Sequence, residues 1–176
     1  MRIADLGLQI GKKRGVTLVE LLVVIAIVAI LASAAMPLSR VTVKRTKEME
    51  LRSSLRILRN AIDAFRKDCL PAGQGTSAVR LSTDYCKSDQ DYYPESLELL
   101  TKPLKLQGAV DKTKKYLRRI PRDPMMPVES SDNPNNWGLR SYKDEPDSTE
   151  WGGDDVFDVY SKSETLALDG SKYNTW

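Results

Sequence analysis

The sequence predicts an α+β fold: one long N-terminal helix that packs part of its length on a small antiparallel sheet. Three observations predict it. From Val16 to Leu38 the chain is almost entirely apolar. Beyond it, Leu51, Leu55, Leu58, Ile62 and Phe65 recur at alternating spacings of four and three, the narrow stripe of a helix with one buried face. The later part of the chain instead offers short aromatic and β-branched segments bounded by turn residues, Trp137 to Tyr142 and Asp155 to Ser161, which read as strands.

The chain opens on a short leader ending Lys12-Lys13-Arg14-Gly15, and Val16-Thr17-Leu18-Val19-Glu20 leads into the apolar run. That run is long enough for a bilayer, which roughly 20 helical residues cross. A carboxylate at its mouth costs several kcal/mol in lipid unless it has a partner, so Glu20 is a functional candidate by position alone. Under the positive-inside rule Lys12, Lys13 and Arg14 stay cytoplasmic and everything after Pro37 lies outside. A secretory signal cut near Ala32-Ser33-Ala34 and a plain single-pass anchor also fit the apolar run. Neither accounts for Glu20.

Pro37 removes one helical donor and crowds the carbonyl four residues back, so a bend or local melting is expected there. Because the stripe resumes beyond it, the helix is expected to continue from about Leu18 to Lys67, roughly 75 Å at ~1.5 Å per residue. Leu70-Pro71-Ala72-Gly73 closes it, and the polar Gln74 to Ser88 reads as a loop. Tyr93-Pro94-Glu95-Ser96-Leu97-Glu98-Leu99-Leu100 sets a proline before acidic residues and leucines, the pattern of a short helix. Cys69 and Cys86 flank the loop; outside the cytoplasm a bridge between them is expected, stabilising by roughly 3 kcal/mol in the chain-entropy view.

There are 27 basic and 24 acidic residues, but the leader holds four basic residues and one acid, which leaves the remainder at 23 against 23. That neutrality is unevenly spread. Arg40 to Arg66 carries eight basic residues against Glu48, Glu50 and Asp63, whereas from Pro121 onward acids outnumber bases by twelve to five. A basic stalk and an acidic head complement each other between neighbouring copies; lipid contact or a solvated helix face are the plainer readings. Nucleic-acid binding does not suit an exported domain. Catalysis has little support, since the chain has no His, no phosphate cradle, no nucleophile elbow and no cysteine pair at redox or zinc spacing.

The leader, Gly15, the Thr17-Leu18-x-Glu20 segment, the apolar run and Pro37 together resemble the class III signal of type IV pilins and type II secretion pseudopilins. The resemblance implies a prepilin peptidase cut between Gly15 and Val16, N-methylation of Val16, and Glu20 as the fifth mature residue, pairing with the Val16 amine of a neighbouring copy. It divides the chain into a leader over 1–15, a membrane and filament-core helix over 16–38, and a periplasmic pilin-like domain over 39–176. Tyr93-Pro94, Ile120-Pro121-Arg122-Asp123-Pro124 and the tail from Asp155 are similar to the major pseudopilins of type II secretion. Met125 to Asn136 departs from their tighter connection.

This implies a homopolymer anchored in the inner membrane and assembling into a periplasmic filament. Its partners would be an inner-membrane platform with its ATPase and the minor pseudopilins. A type IV pilus subunit and, more distantly, a non-polymerising membrane-anchored binding module are the alternatives. The resemblance also implies a structural Ca²⁺ held by Glu164 and Asp169 with carbonyls near Ser163 and Leu166. Asp154, Asp155 and Asp158 are a second source of ligands. Asp169-Gly170 equally reads as a plain turn.

Overall fold

The computed structural model describes residues 15–71, 73–74, 79–108, 112–127 and 136–176, with the side chains of 34–39 outside the description. Two compact units divide the chain, Met1–Thr42 and Val43–Trp176. Helix α1 (Leu18–Cys69) belongs to both. At its start Leu21 N–H reaches the Thr17 carbonyl at 3.1 Å, and Glu20 N–H reaches Thr17 Oγ1 at 3.2 Å. Glu20 in the first turn and Arg66 and Lys67 in the last match the signs of the helix dipole. Helical backbone carries through Pro37, which corrects the melting expected there: a proline costs one donor without ending a helix whose neighbouring turns are intact.

In the first unit the apolar side chains from Leu18 to Leu31 are all exposed, between 51% and 75% for the large ones. In the second unit Leu51, Leu55, Leu58, Ile62 and Phe65 are buried as the stripe requires, and the same rhythm takes in Glu48 and Cys69 at its two ends. They pack on Leu81, Tyr93, Leu97, Leu100, Leu104, Trp137, Val156, Val159 and Tyr173. Phe65 meets the edge of Tyr116 at 5.7 Å.

Cys69 and Cys86 are bridged, closing a separation of 17 residues with their Cα atoms 5.3 Å apart. Short 3-10 turns follow at Thr83–Tyr85 and Ser88–Gln90. The expected helix begins only at Leu97, as a 3-10 helix over Leu97–Thr101. Pro94 does not start it, because its carbonyl accepts Val156 N–H at 2.8 Å and the tertiary bond fixes the chain there.

Among the described residues the sheet is two separate antiparallel pairs. Strands β1 (Leu104–Lys105) and β2 (Thr113–Lys114) pair Leu104 with Lys114, a ladder too short to leave a period in the sequence. Strands β3 (Trp137–Arg140) and β4 (Asp158–Ser161) pair Trp137 with Ser161 and Arg140 with Asp158. Both are shorter than expected. Ser141 N–H goes to Asp144 Oδ2 at 2.7 Å and Tyr142 N–H to Asp155 Oδ1 at 3.0 Å, so loop carboxylates take donors that a longer ladder would use. Gly138 lies opposite Tyr160; a Cβ there would come within 2.2 Å of the ring, so only glycine fits. Of the expected Met125 to Asn136 insertion, residues 128–135 lie outside the described residues.

Candidate functional site

At the N-terminal end, a Cβ added to Gly15 would meet nothing within 4 Å. The fold therefore sets no steric demand for glycine there. Val16 and Glu20 are both exposed. Thr17, absent from the expected site, is the N-cap of α1, and Glu20 stands at the third helical position, the Thr-x-x-Glu spacing of a capping box. That spacing was legible in the sequence, and the bond seen is the half of the box made by the Glu20 backbone N–H to Thr17 Oγ1. A carboxylate near a helix N-terminus contributes only ~0.3–1 kcal/mol at an exposed site, less than the several kcal/mol it costs in lipid.

Among the described residues no helix is long and apolar enough to cross a membrane. The expected span over 16–38 includes residues 34–38, whose side chains lie outside the description, Pro37 among them. From Leu18 to Ser33 alone the helix falls short of the roughly 20 residues a span needs.

The carboxylates expected to bind calcium are turned to other work. Asp169 Oδ1 accepts Ser171 N–H at 2.9 Å and Ser171 Oγ–H at 2.6 Å, and Oδ2 lies 3.7 Å from Arg52. The Ser171 hydrogen bonds, with Arg52 adding to them, hold this carboxyl below the usual range. Gly170 beside it has φ +86°, which fits the plain-turn reading. Glu164 instead lines a cavity of about 180 Å³ with Thr149, Tyr160, Lys162 and Asn174, where a lysine opposes a cation. Asp154 is 3.5 Å from Lys143, and Asp158 is bound by Arg59 at 2.6 Å. Asp155 is buried, and burial raises its carboxyl pKa. No group of three or more His, Cys, Asp or Glu able to hold a metal occurs among the described residues. Asp169 is thus engaged by Ser171 and Arg52, and Glu164 stands beside Lys162.

What ties the tail down is Glu48. Its Oε1 accepts Leu168 N–H and Tyr173 Oη–H, each at 2.8 Å. Arg59 adds a bond to the Trp176 main-chain oxygen at 3.0 Å, and Arg52 stacks over the Trp176 ring at 4.2 Å. Burial, and then the Glu48 carboxylate, push the Tyr173 hydroxyl up to about 12. Glu48 was a missed residue with a visible signal: it stands three positions before Leu51, on the apolar register.

The Ile120-Pro121-Arg122-Asp123-Pro124 segment is fastened to the β3–β4 pair. The Pro121 carbonyl accepts Trp137 Nε1–H at 2.8 Å, and buried Asp123 accepts Ser161 Oγ–H at 2.6 Å.

Residues 10–36 match the family described as the prokaryotic N-terminal methylation motif. The chain carries a prepilin-type N-terminus. The match takes in Gly15, Val16 and Glu20 and stops one residue short of Pro37. It supports the type IV pilin-like class. No curated protein and no solved structure matches the chain.

Proposed function

We propose that this prepilin-like chain is a structural subunit, the major pseudopilin, of a type II secretion pseudopilus. After cleavage between Gly15 and Val16 and methylation of the new terminus, copies leave the inner membrane for a periplasmic filament. An ATP-driven platform extends that filament, which moves folded proteins across the outer membrane. The observation that carries this is the methylation motif over 10–36, set on a helix whose large apolar side chains from Leu18 to Leu31 are all exposed among the described residues. Glu20 and the Val16 amine of a neighbouring copy form a pair in the apolar filament core. Removing either leaves the other as an uncompensated buried charge, which costs roughly 3–5 kcal/mol.

The preference for a pseudopilin over a pilus subunit rests on the Tyr93-Pro94, Ile120 to Pro124 and tail resemblances. Mass spectrometry of the chain from membranes is expected to find a terminus at N-methyl-Val16, and Gly15→Leu is expected to leave the leader attached. Deleting the gene is expected to stop secretion of folded proteins. A wild-type terminus at Ala35 excludes prepilin processing. Intact secretion with loss of surface fibres identifies a pilus subunit instead.

A further inference from the structure

Along α1 in the second unit runs a groove of about 490 Å³, lined by Arg52, Leu55, Arg56, Arg59, Asn60 and Trp176. Its arginines differ in how far they are committed. Arg59 binds Asp158, the Val159 carbonyl and Trp176. Arg52 stacks over the Trp176 ring at 4.2 Å, and its ion pair with Asp169, at 3.7 Å between side chains more than half exposed, is a geometry worth little. Arg56 is exposed and joins no ion pair among the described residues.

The loop between β3 and β4 is the counterpart. Glu145, Asp147 and Glu150 are exposed and join no ion pair among the described residues, yet the loop backbone is fixed. Asp144 Oδ2 accepts Ser141 N–H and Gly152 N–H, Arg140 Nε donates to the Ser148 carbonyl at 2.9 Å, and Tyr160 Oη to the Thr149 carbonyl at 3.1 Å. A fixed acidic loop and a basic, aromatic-edged groove share no ion pair among the described residues of one chain.

We propose that the Arg52, Arg56 and Trp176 groove of one copy receives the Glu145 to Glu150 loop of a second copy. This rests on the filament reading above, since it needs copies in array. A second copy is the favoured occupant because the basic excess on α1 is balanced by an acidic excess after Pro121 in the same sequence. The contact sets register between heads through unlike charges, the way such charges act at interfaces, and it weakens as salt screens them.

The test uses the full chain in its own membrane, with a photo-cross-linking amino acid at Asn60. The expected product is a dimer whose peptide map joins Asn60 to residues 142–153 of the other copy. Arg52→Glu with Arg56→Glu is expected to lower its yield about tenfold, a change corresponding to ~1.4 kcal/mol. Glu145→Arg with Glu150→Arg is expected to do the same, and combining all four to restore the dimer. Protease resistance and an intact Cys69–Cys86 bridge identify variants that still fold. Adducts mapping elsewhere on the chain, to lipid or to another protein overturn the proposal, as does failure of the combined variant to recover. If Val16 is processed and filaments form but the adduct lies elsewhere, only this contact falls. If Val16 is never exposed and no dimer forms, the filament reading falls with it.

Discussion

The two ends of α1 share a backbone conformation and differ in everything around it. Near Leu18 to Leu31 every large side chain faces outward; between Leu51 and Phe65 one stripe is sealed against the head. The contrast locates where stability comes from. Helices this long are held by the burial of a face more than by intrinsic propensity. The second half gains that burial inside its own unit. Among the described residues the first half has nothing there to bury against. One half folds the head, and the other is the half that the proposed filament would use.

The largest effect should come from cutting the stripe. Phe65→Ala removes a fully buried ring that meets Tyr116, and is expected to destabilise the head by about 3–5 kcal/mol. Val24→Ala deletes a smaller apolar group from the exposed half and should leave the head's thermal transition unmoved. Calorimetry of the two variants in detergent checks the contrast. Equal losses would mean that the halves are energetically one unit.

Next comes the Cys69–Cys86 bridge, which pins the end of the stripe to the loop after it. Replacing both by serine should cost about 3 kcal/mol, read as a drop in denaturant midpoint. Val24→Ala in the oxidised chain again serves as the reference.

How much of this was legible follows the same divide. The long helix, its stripe and the bridge were written in strong local signals: period, cysteine count and apolar length. Thr17 and Glu48 were legible in spacing alone, one as the start of a Thr-x-x-Glu cap and the other as a polar residue on an apolar register. The two-residue strands β1 and β2 were not, because no period fits in two residues. Nor was the late start at Leu97, which depends on Val156 claiming the Pro94 carbonyl from far along the chain. Asp169 could be read as a metal ligand or as a turn, and its contacts with Ser171 and Arg52 are visible only in three dimensions.

Glu48 sharpens the comparison, being the point where the stripe turns polar. Glu48→Ala leaves Leu168 N–H and the Tyr173 hydroxyl without their shared acceptor, and should cost about 2–3 kcal/mol. The same contact carries a pH signature. Tyr173 is raised from 10.0 to about 12, so the neutral phenol is the form the fold favours. Its contribution is full below pH 10 and disappears as the pH rises through about 12, up to ~2–3 kcal/mol by linkage. Denaturant midpoints measured across that window should fall in the wild type. In Tyr173→Phe that fall should shrink; an identical decline in both would assign it to other groups.

Calcium should make the smallest difference of all. A ligand that binds only the folded state stabilises it by RT ln(1 + [L]/Kd), so a site built from Glu164 and Asp169 would show as a melting temperature that climbs with calcium. Asp169, though, is already satisfied by Ser171 and faces Arg52, and Glu164 shares its cavity with Lys162. The tail is held by Glu48, which needs no ion. The full chain in detergent should therefore melt at the same temperature in millimolar calcium as in chelator, with Glu164→Ala, Asp169→Ala no more sensitive to calcium than the wild type. A rise in the wild type that the double variant abolishes would show that the loop rearranges around a cation, and that the Asp169 turn is only one of its two states.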